Sequence, residues 1–194
     1  MLNTEGHEAG ESSGQARFPL RVVLTGFRTT GKSLVGALLA DLLGYRFIDT
    51  DDELVASIQG SVAAFVREQG WPAFREHEKK LLARLAWMSH VVIATGGGAI
   101  LHDQEWQDLR KESLVIWLQA DVYTIQSRLR TDTTSRTQRP SLTGGSKFEE
   151  VDVILAEREP RYRQGSDIAI DTTDKSPEEI AFFIHQHIKL LEKK

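Results

Sequence analysis

No cysteine occurs in the 194 residues. Disulfides, thiolate nucleophiles and cysteine-ligated metal sites are therefore excluded. The absence suits a reducing compartment, and a cytoplasmic protein is expected. No apolar run approaches the roughly 20 residues of a membrane span. The N-terminal stretch MLNTEGHEAGESSGQAR lacks the apolar centre of a secretory signal, so no membrane partner is expected. An excess of positive charge is missing too: 24 Lys and Arg stand against 28 Asp and Glu, a net charge of -4. The chain as a whole has no pull toward nucleic acid, and any anionic ligand must be held by local cations. The 6 histidines show no metal-ligand spacing. His185 and His187, two apart on a helix, diverge and read as surface residues. The 4 tryptophans read as packing or surface groups rather than a cofactor box.

What is present is an ordinary globular balance, 40% hydrophobic and 27% charged. Residues 1–17, rich in Gly, Ser and Glu, read as a flexible tail. Residues 18–194 read as a single domain. Short apolar runs at 20–25, 45–48, 91–95, 114–118 and 168–170 predict strands. Helical periodicity predicts helices from Lys32 to a C-cap at Gly44, over 52–88 with breaks near Gly60 and Gly70, over 120–130, over 147–157, and after Ser176. The first carries Leu34, Val35, Leu38, Leu39 and Leu42 on one face. The last carries Ile180, Phe183, Ile184, Ile188 and Leu191. Apolar strands alternating with helices predict an α/β fold, a parallel sheet covered on both faces. Ligands of such folds sit beyond the carboxyl ends of the strands. The loops at 26–33, 49–52, 96–98 and 131–146 are the places to look.

Gly26-Phe27-Arg28-Thr29-Thr30-Gly31-Lys32-Ser33 matches G-x-x-x-x-G-K-[ST] between a predicted strand and a predicted helix. In that context the loop curls its N–H groups around phosphate oxygens, helped by the field of the helix N-terminus. The phosphate-binding set is Gly26, Thr29, Thr30, Gly31, Lys32, Ser33 and Leu34. Lys32 can reach the β- and γ-phosphates, and the Ser33 hydroxyl can ligate Mg²⁺. The alternative is a glycine turn with an incidental lysine. The loop alone does not choose among kinase, GTPase, motor and ATPase. No Asn-Lys-x-Asp base-reading motif occurs, and the strand ending Trp117-Leu118-Gln119 has no acid pair. Small size and a long arginine-containing loop point to a kinase of small metabolites, with a lid over ATP at 131–146.

Further residues bear on the acceptor. Asp49 and Asp51, two apart at a strand end, would point the same way and could serve a metal and a nucleophile. Alternatively Asp49, Asp51 and Asp52 only cap the next helix. Arg75 and Glu78 share a helix face and, taken alone, read as a solvated ion pair. Gly96-Gly97-Gly98 reads as at least a tight turn. Arg128, Arg130, Arg136 and Arg139 cluster in and just before the lid loop, where a solvated face is the plainer reading.

GFRTTGKS (26–33), FIDTDDEL (47–54), FREHE (74–78), TGGGAI (95–100), RPSL (139–142) and EREPRY (157–162) occur in one chain and in this order. Through them the sequence resembles bacterial shikimate kinases from about Leu20 to Leu191. The resemblance implies a three-layer, nucleoside monophosphate kinase-like P-loop fold with sheet order 2-3-1-4-5. It implies transfer of the ATP γ-phosphate to the 3-hydroxyl of shikimate, with Mg²⁺. Lys32, Asp51 and Arg139 are then catalytic, Asp51 orienting the attacking hydroxyl and accepting its proton. Ser33 and Asp49 serve the metal, Asp49 through water. Arg75, held by Glu78, and Arg158 bind the acceptor carboxylate, Gly97 donates an N–H to a hydroxyl, and Asp51 holds hydroxyls; the shikimate-binding region is about 50–80. Arg139, before Pro140, matches the lid arginine better than Arg136. Arg130 and Lys175 flank adenine. Ser141 and Arg161 depart from the family pattern, where leucine is usual. A monomer is expected. Two other readings stand beside this one: a related kinase for a hydroxy acid such as gluconate, and a non-catalytic ATP-binding module.

Overall fold

The structure is a computed structural model that describes residues 19–131 and 150–191. The predicted tail, Arg136, Arg139, Ser141 and nearly all of the lid at 131–146 lie outside the described residues. Five strands, β1 (Arg21–Thr25), β2 (Arg46–Asp49), β3 (Val91–Ala94), β4 (Ser113–Gln119) and β5 (Ile168–Asp171), form one sheet in the order β2-β3-β1-β4-β5. Every pairing is parallel. The order is the one the family resemblance implied.

The helices are α1 (Lys32–Leu43), α2 (Thr50–Ile58), α3 (Val62–Leu85), α4 (Asp103–Arg110), α5 (Val122–Thr131), α6 (Glu150–Gln164) and α7 (Pro177–Leu191). A short 3₁₀ turn, Ala99–Leu101, precedes α4. Side chains alternate across the sheet. Val22 and Leu24 of β1 pack with Val35 and Leu39 of α1 and Ile180, Ile184 and Ile188 of α7. Val23, on the opposite face, joins Phe74, Leu82 and Leu85 of α3 and Tyr162 of α6. Both faces of β1 are thus dry, which is why its centre, Val22-Val23-Leu24, is apolar on both sides. A third cluster of Phe27, Ile125, Leu129, Val151 and Ile154 joins the phosphate loop to α5 and α6.

Several expectations need correction. Leu34 and Leu42 are exposed, because α1 buries Val35, Gly36, Leu39 and Ala40 instead. Phe183 and Leu191 are exposed as well. The buried stripe of α7 runs Ile180, Ala181, Ile184, His185, Ile188, so His185 is a core-facing residue and not a surface one. Helix α4 was not expected: its segment DQEWQDLR offers only Trp106 and Leu109 as apolar anchors. Helix α6 continues to Gln164 through Pro160, whereas the sequence suggested an end near 157. Asp51 does not lie on a strand, since α2 begins at Thr50.

Candidate active site

The carboxyl ends of β1, β2 and β3 bring the predicted loops together. Gly26 leaves β1 at φ 138°, a conformation in which a Cβ would collide with the Leu118 carbonyl. The Phe27 carbonyl then accepts two bonds, from the Thr30 hydroxyl at 2.9 Å and from Lys32 Nζ at 2.6 Å. Lys32 starts α1 and is buried. The loop is shaped by its own side chains, and Lys32 is part of that shape. Thr29 bonds toward α5 at the Ile125 carbonyl, 3.4 Å away. Leu34 presents its side chain outward from the first turn of α1.

Asp49 ends β2 and uses both oxygens. Oδ1 accepts from the Asp51 N–H at 2.9 Å and caps α2, while Oδ2 accepts from Ser33 Oγ at 2.5 Å. The capping alternative is therefore true of Asp49 but incomplete. Ser33 and Asp49 place two hard oxygen donors side by side at the mouth of the phosphate loop. That donor set fits Mg²⁺, which takes one or two protein oxygens and fills its shell with phosphates and water. Among the described residues no cluster of three or more His, Cys, Asp or Glu could hold a metal by itself. Asp52, next along α2, is exposed. Partial desolvation of its carboxyl, reinforced by the Asp49 charge, raises it above the ordinary range.

Beside the phosphate loop opens a cleft. Its lining includes Asp51, Arg75, Gly97 and Arg158, the whole set carried by the resemblance for the acceptor. Asp51 enters from the first turn of α2 and lies against Gly96, whose N–H donates to Thr50 Oγ1 at 2.8 Å. Arg75 enters from α3, where Gly70 at φ 82° breaks the helix. Its guanidinium lies over the Trp71 ring at 5.3 Å and donates to Glu78 at 2.5 Å. Arg158 and Tyr162, one turn apart on α6, both donate to the Gly97 carbonyl, at 3.0 and 2.7 Å. Burial pushes the Tyr162 hydroxyl up to about 12, against the pull of Arg158, so it remains a donor at neutral pH. Tyr162 also stacks on Trp117 at 5.9 Å, which anchors α6 to the sheet.

Some site residues escaped the sequence reading. Trp71 and Arg28 line the cleft; Arg28 stood inside the phosphate-loop motif and Trp71 four residues before Arg75, but neither was given a role. Tyr162 stood inside a quoted motif without a role. Arg128 looked like one of a solvated cluster. It donates instead to the carbonyls of Thr29, Thr172 and Thr173, tying the phosphate loop to the segment after β5. Arg130 and Lys175, expected at adenine, are exposed, and Lys175 Nζ donates to the Asp171 carbonyl at 3.0 Å. Arg161, the departure from the family pattern, pairs with Asp103 at 2.6 Å on the surface.

The likenesses to known proteins agree with this geometry. A family model described as shikimate kinase matches residues 28–189. The shikimate kinase of Chloroherpeton thalassium is 36% identical over 184 residues, covering 88% of this chain and 95% of its own length. Shikimate kinase 2 of Escherichia fergusonii is 41% identical over 150 residues, covering 77% and 82%. Among solved structures, shikimate kinase from Acinetobacter baumannii in complex with shikimate superposes with a TM-score of 0.81 at 29% identity, covering 90% of this chain and 95% of that one. The chain belongs to the shikimate kinase family, whose members are ATP-dependent phosphotransferases.

Proposed function

We propose that this chain transfers the γ-phosphoryl group of ATP to the 3-hydroxyl of shikimate, giving shikimate 3-phosphate for chorismate and aromatic amino acid biosynthesis. The observation that carries the reading is the cleft beside the phosphate loop, where Asp51, Arg75, Gly97 and Arg158 converge. Arg75 and Arg158 are two guanidinium groups for one carboxylate, and arginine forks match that planar anion. Asp51 sits on the side facing Gly96, where an acceptor hydroxyl would lie between it and the phosphate loop.

In this reading Lys32 holds the β- and γ-phosphates, and Arg139 closes over their bridge from the lid. Asp51 accepts the proton of the attacking hydroxyl. The new bond joins that oxygen to the γ-phosphorus, the bond to the β–γ bridging oxygen breaks, and ADP leaves. Ser33 would hold Mg²⁺ directly, and Asp49 through water. The ion, when bound, would offset the charge on the phosphates. Gly26, Thr29, Thr30, Gly31 and Leu34 contribute the loop, and Arg130 and Lys175 flank adenine. Residues 18–194 act as one domain, with acceptor binding at about 50–80 and the lid at 131–146. We expect a cytoplasmic monomer with no nucleic acid or membrane partner. The net charge of -4 gives no overall pull toward nucleic acid, and no helix among the described residues is long and apolar enough to cross a membrane.

A kinase for gluconate is the second reading. The match of residues 28–189 to the shikimate kinase family stands against it. A non-catalytic module is disfavoured because Lys32, Asp49 and Asp51 are all in place around the cleft. A coupled ADP-release assay with ATP and Mg²⁺ separates the readings. Turnover with shikimate, and little with gluconate or nucleoside monophosphates, is expected. Turnover with gluconate alone would establish the second reading.

A further inference from the structure

His102 does not line the cleft, yet it is only 6% exposed and its ring reaches the carboxylate that holds Arg75. Glu78 Oε2 is shared by two donors, Arg75 Nη1 at 2.5 Å and His102 Nε2 at 3.1 Å. Glu78 Oε2 already accepts from the Arg75 guanidinium, and a shared acceptor assigns the proton of the second contact to Nε2.

The two donors come from different walls. Arg75 and Glu78 are three apart on α3, so their bond fixes the guanidinium only relative to that helix. His102 follows the Ala99–Leu101 turn, directly after Gly96-Gly97-Gly98. Its N–H bonds back to the Ala99 carbonyl at 3.2 Å, and its own carbonyl accepts from Trp106 at 2.8 Å, so its backbone is fixed to that turn and to α4. The bond to Glu78 therefore ties α3 to the glycine loop. Such a tie matters because α3 is broken at Gly70, shortly before Arg75. The walls are also close. A Cβ on Gly98 would stand 2.8 Å from Arg75 Nη1, so a small shift of Glu78 would push the guanidinium against the loop or away from it.

We propose that His102 is a positioning residue for acceptor binding: by donating from Nε2 to Glu78 it holds the Arg75 guanidinium against the Gly97-Gly98 wall. The inference rests on the proposed function, which makes Arg75 a ligand of the acceptor carboxylate. His102 touches no reacting atom. Without it Arg75 keeps its charge and its bond to Glu78, but its placement relative to Gly97 and Arg158 is lost. The effect falls on acceptor affinity and leaves the transfer step alone.

Steady-state kinetics on the full chain test this, with shikimate and ATP varied in turn. His102→Leu keeps the bulk and removes the donor. It raises KM for shikimate roughly ten-fold, the usual scale for a buried bond to a charged group, while kcat and KM for ATP stay put. His102→Gln, whose amide can donate to Glu78, recovers most of that loss. An unchanged KM for shikimate in His102→Leu overturns the proposal. So does a fall in kcat that His102→Gln fails to restore. Nitrogen NMR of the wild-type imidazoles gives a readout that needs no variant: His102 is expected with a protonated Nε2, and a bare Nε2 overturns the proposal. A wild type without shikimate-dependent turnover overturns the proposed function and this role with it. An active wild type with an unmoved His102→Leu overturns this role alone.

Discussion

Asp49 connects two elements through one carboxylate, and its two oxygens can be separated by substitution. Asp49→Asn keeps an oxygen for the Asp51 N–H but loses the charge beside Ser33. It is expected to lower activity at limiting Mg²⁺ roughly 10- to 100-fold with little change in melting temperature. Asp49→Ala also removes the cap of α2 and should cost about 1 kcal/mol of stability, read by chemical denaturation. Arg75 makes a different case. Its planar fork donates to Glu78, lies over Trp71, and keeps further N–H groups for an anion in the cleft. Arg75→Lys is expected to raise KM for shikimate roughly 10- to 100-fold with kcat largely kept. These two residues were legible in the sequence because their neighbours form motifs. His102 was not, since its partner Glu78 lies on another element and no fixed spacing records it, whereas Trp71 stands four residues before Arg75, a spacing that could have signalled their contact.

Helix α6 matters at the next scale. It carries Arg158 and Tyr162 to the same carbonyl of Gly97, although Pro160 between them removes a helical N–H. Sequence rules end a helix near such a proline. Here the stack on Trp117 and the bonds to Gly97 hold the later turn in place, an override that only tertiary contacts supply. Tyr162→Phe keeps the stack and drops one donor, so a loss of about 1 kcal/mol of stability is expected by chemical denaturation, with KM for shikimate rising as Gly97 loosens. Helix α7 offers a pH test. Its start is a capping box in which Glu179 accepts from the Ser176 N–H at 2.8 Å and Ser176 Oγ accepts from the Glu179 N–H at 3.2 Å. The Ser176 backbone bond, then its side chain, lowers the Glu179 carboxyl below the usual range. A lowered acid adds stability above its unfolded value of about 4.3, and that stability is lost as pH falls through the folded value. Glu179→Ala should therefore melt earlier than wild type at pH 7, and the gap should close on acidification below about 4.3.

For the whole molecule, the number and rough place of the strands followed from short apolar runs; β1, β3 and β4 are buried on both faces, while the edge strands β2 and β5 are partly exposed. Their order did not follow from periodicity. A strand dry on both faces carries no mark of its neighbours, so the order came with the resemblance. The outward faces of α1 and α7 were misjudged for a related reason: Leu34, Leu42 and Phe183 have helical spacing, but only packing decides which stripe is covered. The site was more legible than the fold in this respect, because phosphate and carboxylate recognition need particular residues at particular turns. What joins the scales is one arrangement, a phosphate loop beside a cleft holding two arginines and an aspartate. The most direct test is phosphorus NMR of the full chain with ATP, Mg²⁺ and shikimate. The account predicts ADP and an equal amount of a new phosphate monoester coupled to the proton on carbon 3 of shikimate. ADP accompanied only by inorganic phosphate, or no signal that depends on shikimate, would contradict it.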